Sequence, residues 1–261
     1  MTEKRALVTG AARRLGRYMA LYLADRGHDV AIHYHGSADD AEALVAEIER
    51  MGRKAVALRA DLTREAEMQT LLPAASEALG GAFNLLVNNA SIFEEDSLAT
   101  ATRESWDRHI ESNLRAPVVL TQAFAEHAPR AFRDHHHEAL SQSLVVNILD
   151  QRVRKLTPLF MSYTIAKMGL WAFTQTAARD LAPHIRVNAI GPGPTLPAER
   201  QSEENFRAQR ANCLLERGSN PEDVCAALGY FIDAPSVSGQ LLCVDGGQHL
   251  AWKTADVIIP E

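Results

Sequence analysis

Short runs of aliphatic and β-branched residues recur along the chain, at residues 5–9, 30–34, 55–59, 85–88, 144–148, 185–190 and 241–244. They are nearly continuous in hydrophobicity rather than alternating, which predicts strands covered on both faces. Between them, apolar residues recur at helical spacing over 15–25, 38–50, 64–79, 105–132, 163–181 and 221–231. Gly27 and Gly52 follow two of these stretches as stop signals. Ser37, followed three residues later by Asp40, predicts a capped start for the second. Strand and helix alternate throughout, which predicts an α/β fold with a doubly wound parallel sheet of about seven strands and helices on both faces.

No linker rich in Pro, Gly or Ser divides the chain, so residues 1–261 are expected to form a single domain. Residues 149–161 and 191–220 read as irregular. The second stretch holds Pro192, Pro194 and Pro197 and a polar segment, and is expected to act as a lid over a substrate.

Composition narrows the class. With 261 residues, 46% hydrophobic and 23% charged, the chain is close to average globular usage, which excludes a disordered, collagenous or coiled-coil protein. Its 27 basic and 33 acidic residues leave a formal charge of −6, so nucleic acid is not an expected partner. A small anion needs only a local basic cluster. The apolar run after Arg5 is too short for a signal peptide, and no stretch has the length of a membrane helix, so the expected address is cytoplasmic, without a membrane partner.

Cys213, Cys225 and Cys243 are odd in number, widely spaced and without a C-x-x-C pair, and are read as reduced, packed thiols. No metal is expected. The cluster Asp134-His135-His136-His137-Glu138 has the composition of a metal site, but adjacent histidines do not share a helix face. Trp106, Trp171 and Trp252 are read as packing residues, and Phe124 and Phe132 as core or subunit-interface residues of the long helix.

The first strand runs into Thr9-Gly10-Ala11-Ala12-Arg13-Arg14-Leu15-Gly16 and then a helix. A strand, a small-residue turn and a helix N-terminus aim backbone N–H groups and the positive helix end at an anion. The geometry is that of a Rossmann-type nucleotide site, although Gly10 and Gly16 are six apart and a plain strand-to-helix turn has the same pattern. The second strand ends His33-Tyr34-His35-Gly36-Ser37, with no acid until Asp39. An acidic residue there would bond the adenosine ribose and repel a 2′-phosphate. Its absence, with Arg13 and Arg14 at the mouth of the site, predicts NADP(H) as cofactor.

Tyr163 and Lys167 stand four apart at the start of a helical stretch, so both emerge on one face. A neighbouring ammonium favours the phenolate, so Lys167 is expected to lower the Tyr163 pKa and tune it as an acid/base. Tyr and Lys at this spacing also occur on ordinary helices.

The ordered set Thr9-Gly10…Gly16, Asp61-Leu62, Asn88-Asn89-Ala90, Asn113, Tyr163-x-x-x-Lys167, Arg186-Val187-Asn188…Gly191-Pro192-Gly193 and Asp245-Gly246-Gly247 resembles the short-chain dehydrogenase/reductase family over essentially the whole chain. The resemblance implies Asp61 and Leu62 near the adenine and Asn89 and Ala90 beside the cofactor. It implies Asn113 supporting a proton-relay water, Tyr163 as acid/base and Lys167 on the nicotinamide ribose. Leu15, Gly191, Pro192, Gly193 and Thr195 complete the implied cofactor contacts.

One position departs from most of the family. A serine that donates a hydrogen bond to the substrate oxygen is replaced by Asp150, in Asn147-Ile148-Leu149-Asp150; Ser143 and Ser162 are out of place for that role. A carboxylate cannot donate to a developing alkoxide. Reduction of a C=N bond instead needs a proton on the adjacent nitrogen, which a buried Asp150 of raised pKa supplies or relays through Tyr163. The departure coincides with a similarity to the pteridine reductases, carried by Arg14, His33-Tyr34-His35-x-Ser37, Asn89-Ala90-Ser91-x-Phe93 and Asp150 ahead of Tyr163.

That similarity implies Phe93 stacking a pterin against the nicotinamide, Ser91 bonding cofactor phosphate or substrate, and Arg14 reaching both phosphate and pterin edge. Gly36 leaves the 2′-phosphate to Arg13, Arg14, His35 and Ser37. The implied acceptors are dihydrobiopterin, dihydromonapterin or dihydrofolate, and the implied assembly is a homotetramer. Two other readings stay open: a carbonyl or alcohol oxidoreductase, such as a 3-oxoacyl reductase, and a non-catalytic NADP-binding sensor. The basic run Gln151-Arg152-Val153-Arg154-Lys155 reads as a solvated loop or oligomer contact, or as a receiver for an acidic substrate tail.

Overall fold

Arg5, Ala6, Leu7 and Val8 are all buried, and the strand they form, β1 (Arg5–Val8), lies inside a seven-stranded sheet. The computed structural model describes residues 3–198, 201–254 and 257. Glu199 and Arg200, inside the expected lid, lie outside the described residues, as do the extreme ends of the expected 1–261 domain. Beside β1 the sheet contains β2 (Asp29–Tyr34), β3 (Ala55–Arg59), β4 (Leu85–Asn88), β7 (Ser143–Ile148), β8 (Ile185–Pro192) and β9 (Leu241–Val244). The order is β3-β2-β1-β4-β7-β8-β9, parallel throughout, and a small antiparallel hairpin of β5 (Phe132–Arg133) and β6 (Ala139–Leu140) stands apart.

Alternate residues of each strand face opposite layers. Val8, Val30, Ile32 and Val87 pack with α1 (Arg14–Asp25), α2 (Ala38–Arg50) and α8 (Pro221–Asp233). Leu7, Ala31, Leu86 and Val145 pack on the other side with α3 (Glu65–Leu79), α5 (Ala116–His127) and α6 (Met161–Asp180). The chain winds outward in both directions from the β1–β4 boundary. The crevice beyond the C-terminal ends of these two strands is where a doubly wound sheet binds its ligand.

Four expectations are corrected. The helix expected over 105–132 is α4 (Arg103–Ile110), a π turn (Glu111–Arg115) and α5, which stops at His127. Ala128 precedes Pro129 and is extended (φ −62°, ψ 140°), the conformation a following proline imposes. Phe132 is therefore an exposed hairpin residue, whereas Phe124 is core. The 191–220 stretch is not wholly irregular, since it contains α7 (Glu203–Ala211), capped by the Ser202 hydroxyl, which accepts from the Asn205 N–H. No α7 residue is buried, so it has no apolar stripe to read. Ser37 does precede α2, but its side chain makes no capping bond, and Asp40 pairs with Arg13 instead. Trp106 and Trp252 are exposed rather than packed; Trp171 is half-buried against the Leu149–Leu170 cluster. Cys213 and Cys225 are buried free thiols and Cys243 is half-buried. Among the described residues, no helix is long and apolar enough to cross a membrane.

Two histidines are buried in the sheet's first half. Burial pushes both His28 and His33 down to about 4, against hydrogen bonds to the Leu23 and Ala60 carbonyls that pull the other way. Both are neutral in the fold at pH 7, while the unfolded chain protonates them near 6.5. Their contribution is therefore fully present above pH 6.5 and is lost as pH falls toward 4, by up to about 3 kcal/mol per histidine. Urea denaturation at pH 7 and pH 5 is expected to show this loss. His28→Asn, which keeps a donor toward Leu23 and does not titrate, should flatten roughly half of the slope; an unchanged slope would contradict the assignment.

Candidate functional site

The turn after β1 is built by close approach. Gly10 has φ +61°, and a Cβ there would lie 3.0 Å from Ala90 Cα. Gly16 sits in the first turn of α1 so tightly that a Cβ would meet the Gly10 carbonyl at 2.2 Å and Asn89 Nδ2 at 2.7 Å. Thr9 joins the two strand ends, its hydroxyl accepting from the N–H groups of Asn89 and Ala90, both at 2.9 Å. Asn89 Nδ2 donates back to the Thr9 carbonyl at 2.8 Å. His33 Nδ1 accepts the Gly10 N–H at 3.0 Å, so its proton is on Nε2 and goes to the Ala60 carbonyl.

Beyond this frame lies a cavity of about 500 Å³, lined by Gly10, Arg13, Arg14, Leu15, Gly16, His33, His35, Asp61, Leu62, Thr63, Asn89, Ala90, Ser91, Ile92, Arg108 and Ser112. Burial pushes the Asp61 carboxyl up, but bonds from the Thr63 N–H (2.9 Å) and hydroxyl (2.7 Å), with His35 and Arg64 nearby, hold it below its usual value. Arg13, Arg14 and Arg108 line the cavity; Arg13 is paired with Asp40 and Arg108 with Glu94, and the Arg14 guanidinium bonds to backbone.

A second pocket of about 240 Å³ continues from the first through Arg14, Leu15, Asn89 and Ser91 and is lined also by Phe93, Asp150, Tyr163, Lys167, Pro192, Gly193 and Thr195. The Tyr163 hydroxyl donates to Asp150 Oδ2 at 3.0 Å, and Lys167 Nζ donates to the Ile148 carbonyl at 2.8 Å. Asp150 Oδ1 accepts the Arg152 N–H at 2.8 Å, which caps the short turn Gln151–Val153. Burial raises the Asp150 pKa and lowers that of Lys167 to about 8.

Here the expected direction for Tyr163 is corrected. Burial and then the Asp150 carboxylate push its pKa well above 10, because Asp150 and not the Lys167 ammonium is the group in hydrogen-bond contact with the phenol. Tyr163 is thus a retained proton donor at neutral pH, coupled to a carboxyl group that burial favours protonated.

Four predicted residues are not brought to the pocket walls. Tyr34 packs toward the α1/α2 layer, and Ser37 only precedes α2. Gly191 lies under Leu241, which a Cβ would meet at 3.2 Å. Asn113, buried in the π turn, holds the backbone of Ile92 at both ends, accepting its N–H and donating to its carbonyl, each at 2.8 Å. Arg14 turns toward the 191–220 stretch and donates to the Pro197 carbonyl at 2.9 Å.

Phe160 escaped the sequence reading. Its ring stacks on Phe93 at 4.3 Å and 5°, and Phe93 meets Tyr163 edge-on at 4.8 Å. An aromatic three residues before Tyr163 was the available signal. The basic run beside it is also not simply solvated. Arg152 lies over the Phe160 ring at 4.8 Å and Arg154 over Trp171 at 5.6 Å, while Gln151 is buried with its Oε1 unpartnered.

The chain as a whole has counterparts among known proteins. Residues 4–208 match the family model described as short chain dehydrogenase. The 3-oxoacyl-[acyl-carrier-protein] reductase FabG of Staphylococcus epidermidis is 30% identical over 253 residues, 95% of this chain and 100% of the relative. The solved FolM alternative dihydrofolate reductase 1 of Brucella canis, complexed with NADP, is 43% identical, covers 97% of each chain and superposes with a TM-score of 0.89. A Burkholderia cenocepacia short chain dehydrogenase in complex with NADP is 34% identical over 94% of this chain and 97% of its own, with a TM-score of 0.84. The chain therefore belongs to the short chain dehydrogenase family.

Proposed function

We propose that this protein is an NADPH-dependent reductase of a pteridine-type C=N acceptor, of the size of dihydrobiopterin, dihydromonapterin or dihydrofolate. The observation that carries the reading is the 3.0 Å contact from the Tyr163 hydroxyl to Asp150 Oδ2, buried beneath the Phe93 ring. A carbonyl reductase needs a fixed hydroxyl donor for its alkoxide at that place, whereas Asp150 titrates: ionised it cannot donate, and protonated it has a proton to give up to the phenol. A ring nitrogen that must gain a proton is served by a phenol backed by a buried carboxyl.

The cofactor cavity fits NADP(H). Gly10 and Gly16 leave the room a pyrophosphate needs at the start of α1, and Asn89 and Ala90 border the passage to Tyr163. Asp61 and Leu62 lie at the adenine end. Arg13, with His35, faces a 2′-phosphate, for which Arg13 exchanges its Asp40 partner. When bound, NADPH supplies the hydride to the acceptor ring carbon. Phe93 holds the flat ring in place, Ser91 and Arg14 hold its polar edge, and Tyr163 passes its proton to the adjacent nitrogen. Asp150 then restores the phenol's proton, and Lys167 and Asn113 hold the surrounding backbone and the route to solvent. The bond from Arg14 to Pro197 ties the phosphate turn to the lid segment 191–220, so cofactor binding and lid position are linked.

The same reading takes in a homotetramer in the cytoplasm, where NADPH is available and thiols such as Cys213 stay reduced. In its favour is an open groove of about 980 Å³ along α5 and α6, which a second copy would cover. Comparing kcat/KM for NADPH and NADH with dihydrobiopterin tests the cofactor assignment. NADPH is expected to be preferred by at least about tenfold, since Arg13 and His35 meet the added charge only in the 2′-phosphorylated form; parity or a preference for NADH would overturn it.

A further inference from the structure

Three polar side chains that the chemistry above does not use lie buried directly behind the candidate acceptor slot. His109 on α4 and Ser162 on α6 have no exposed surface, and Asp96, in the loop after Phe93, is 3% exposed. Burying three such groups is costly unless each is paired. Here the pairing is complete and runs one way. His109 Nε2 accepts the Glu94 N–H at 3.2 Å, which puts the ring proton on Nδ1, and Nδ1 donates to Ser162 Oγ at 2.6 Å. Ser162 Oγ donates in turn to Asp96 Oδ2, and the Ser162 N–H donates to Asp96 Oδ1 at 3.1 Å. The Asp96 carbonyl takes the Met161 N–H at 3.3 Å.

The direction of these bonds rules out one reading. Ser162 gives its proton to the carboxylate and His109 gives its own to Ser162, so no base activates the hydroxyl and this is not a hydrolytic triad. What the bonds do is join elements. Glu94 follows Phe93, and Ser162 precedes Tyr163. The chain of bonds therefore ties the loop that carries Phe93 to the helix that carries Tyr163, through a rigid imidazole. Phe160, at φ +58° in the residue before α6, sits at the same junction. A non-glycine residue persists in that conformation only where its surroundings hold it.

We propose that Asp96, Ser162 and His109 are positioning residues that hold Phe93 in register with Tyr163, and so set where a flat heteroaromatic acceptor lies relative to the proton donor. This rests on the assignment of the pocket lined by Phe93 and Tyr163 to the acceptor. Displacing a reacting group by about 1 Å is enough to cost about a hundredfold in rate. A pure packing role would instead lower stability and leave acceptor affinity alone.

Ser162→Ala removes the centre of the chain. His109→Gln keeps an acceptor for the Glu94 N–H but releases Ser162, and is the second variant should the first fail to fold. Each is scored by NADPH Kd, from fluorescence titration, and by acceptor KM and kcat. The expected result is an NADPH Kd within about twofold of wild type and an acceptor KM raised about tenfold or more, with the double variant no worse than the weaker single one. Folded variants with wild-type KM for the acceptor would overturn the proposal. If the wild-type enzyme reduces a keto ester and not a pterin, the pterin assignment fails on its own and the variants are scored with the ester. A crystal structure of Ser162→Ala gives a readout free of any acceptor: Phe93 is expected to move from its 4.8 Å ring contact with Tyr163, and an unchanged contact counts against the clamp.

Discussion

Tyr163→Phe is expected to lower kcat for acceptor reduction by about 10²–10⁴-fold, the range that a positioned acid contributes, with NADPH affinity unchanged within about twofold. The substitution removes only the hydroxyl. The ring keeps its edge-on contact with Phe93 at 4.8 Å, and Lys167 keeps its own partner, the Ile148 carbonyl. What is lost is a proton that burial and the Asp150 carboxylate hold on the phenol at neutral pH. Single-turnover oxidation of bound NADPH with dihydrobiopterin measures the loss free of product release. A rate within about threefold of wild type would place the proton donor elsewhere.

Asp150→Ser is expected to cost about 10²-fold in kcat/KM toward a dihydropterin and to raise activity toward a keto ester relative to it. The fold should tolerate the change, because a serine hydroxyl can accept the Arg152 N–H that Asp150 Oδ1 now accepts. Serine restores a neutral donor for an alkoxide but cannot return a proton to Tyr163. Asp150→Asn separates the two roles: it has no proton to transfer, and its single oxygen serves the phenol only by turning the amide NH2 toward the Arg152 N–H, away from the acceptor. It is expected to lose pterin activity as Ser does, without the gain toward esters. Unchanged pterin turnover in both variants would remove Asp150 from the chemistry.

In the sheet, β1 and β4 are buried on both sides and stand out as apolar runs within one residue of their observed ends, and the edge strands β3 and β9, though only partly buried, keep enough apolar residues to be read equally closely. The elements missed are those without a buried face. The hairpin strands Phe132–Arg133 and Ala139–Leu140 are only two residues each and mostly exposed, and α7 buries nothing. The break at Ala128 was written in the following proline but was outweighed by the apolar periodicity that continues to Phe132.

At the site, Gly10 and Gly16 were readable because backbone crowding leaves no other residue type possible. Asp150 and Tyr163, thirteen residues apart, were readable through the chemistry that a carboxyl in place of a hydroxyl implies. The sign of the Tyr163 shift was not, because it depends on which charge touches the phenol once both are buried. Asp96, His109 and Ser162 were invisible for the same reason, since each is an ordinary polar residue until the fold brings all three to one point.

The central claim is that the Tyr163–Asp150 pair protonates a ring nitrogen and not a carbonyl oxygen. It is tested most directly by following NADPH oxidation at 340 nm with the purified protein on dihydrobiopterin, dihydrofolate and a panel of keto esters under identical conditions. The account predicts a kcat/KM for at least one dihydropterin or dihydrofolate that exceeds every keto ester by about tenfold or more. Turnover of the esters alone would contradict it.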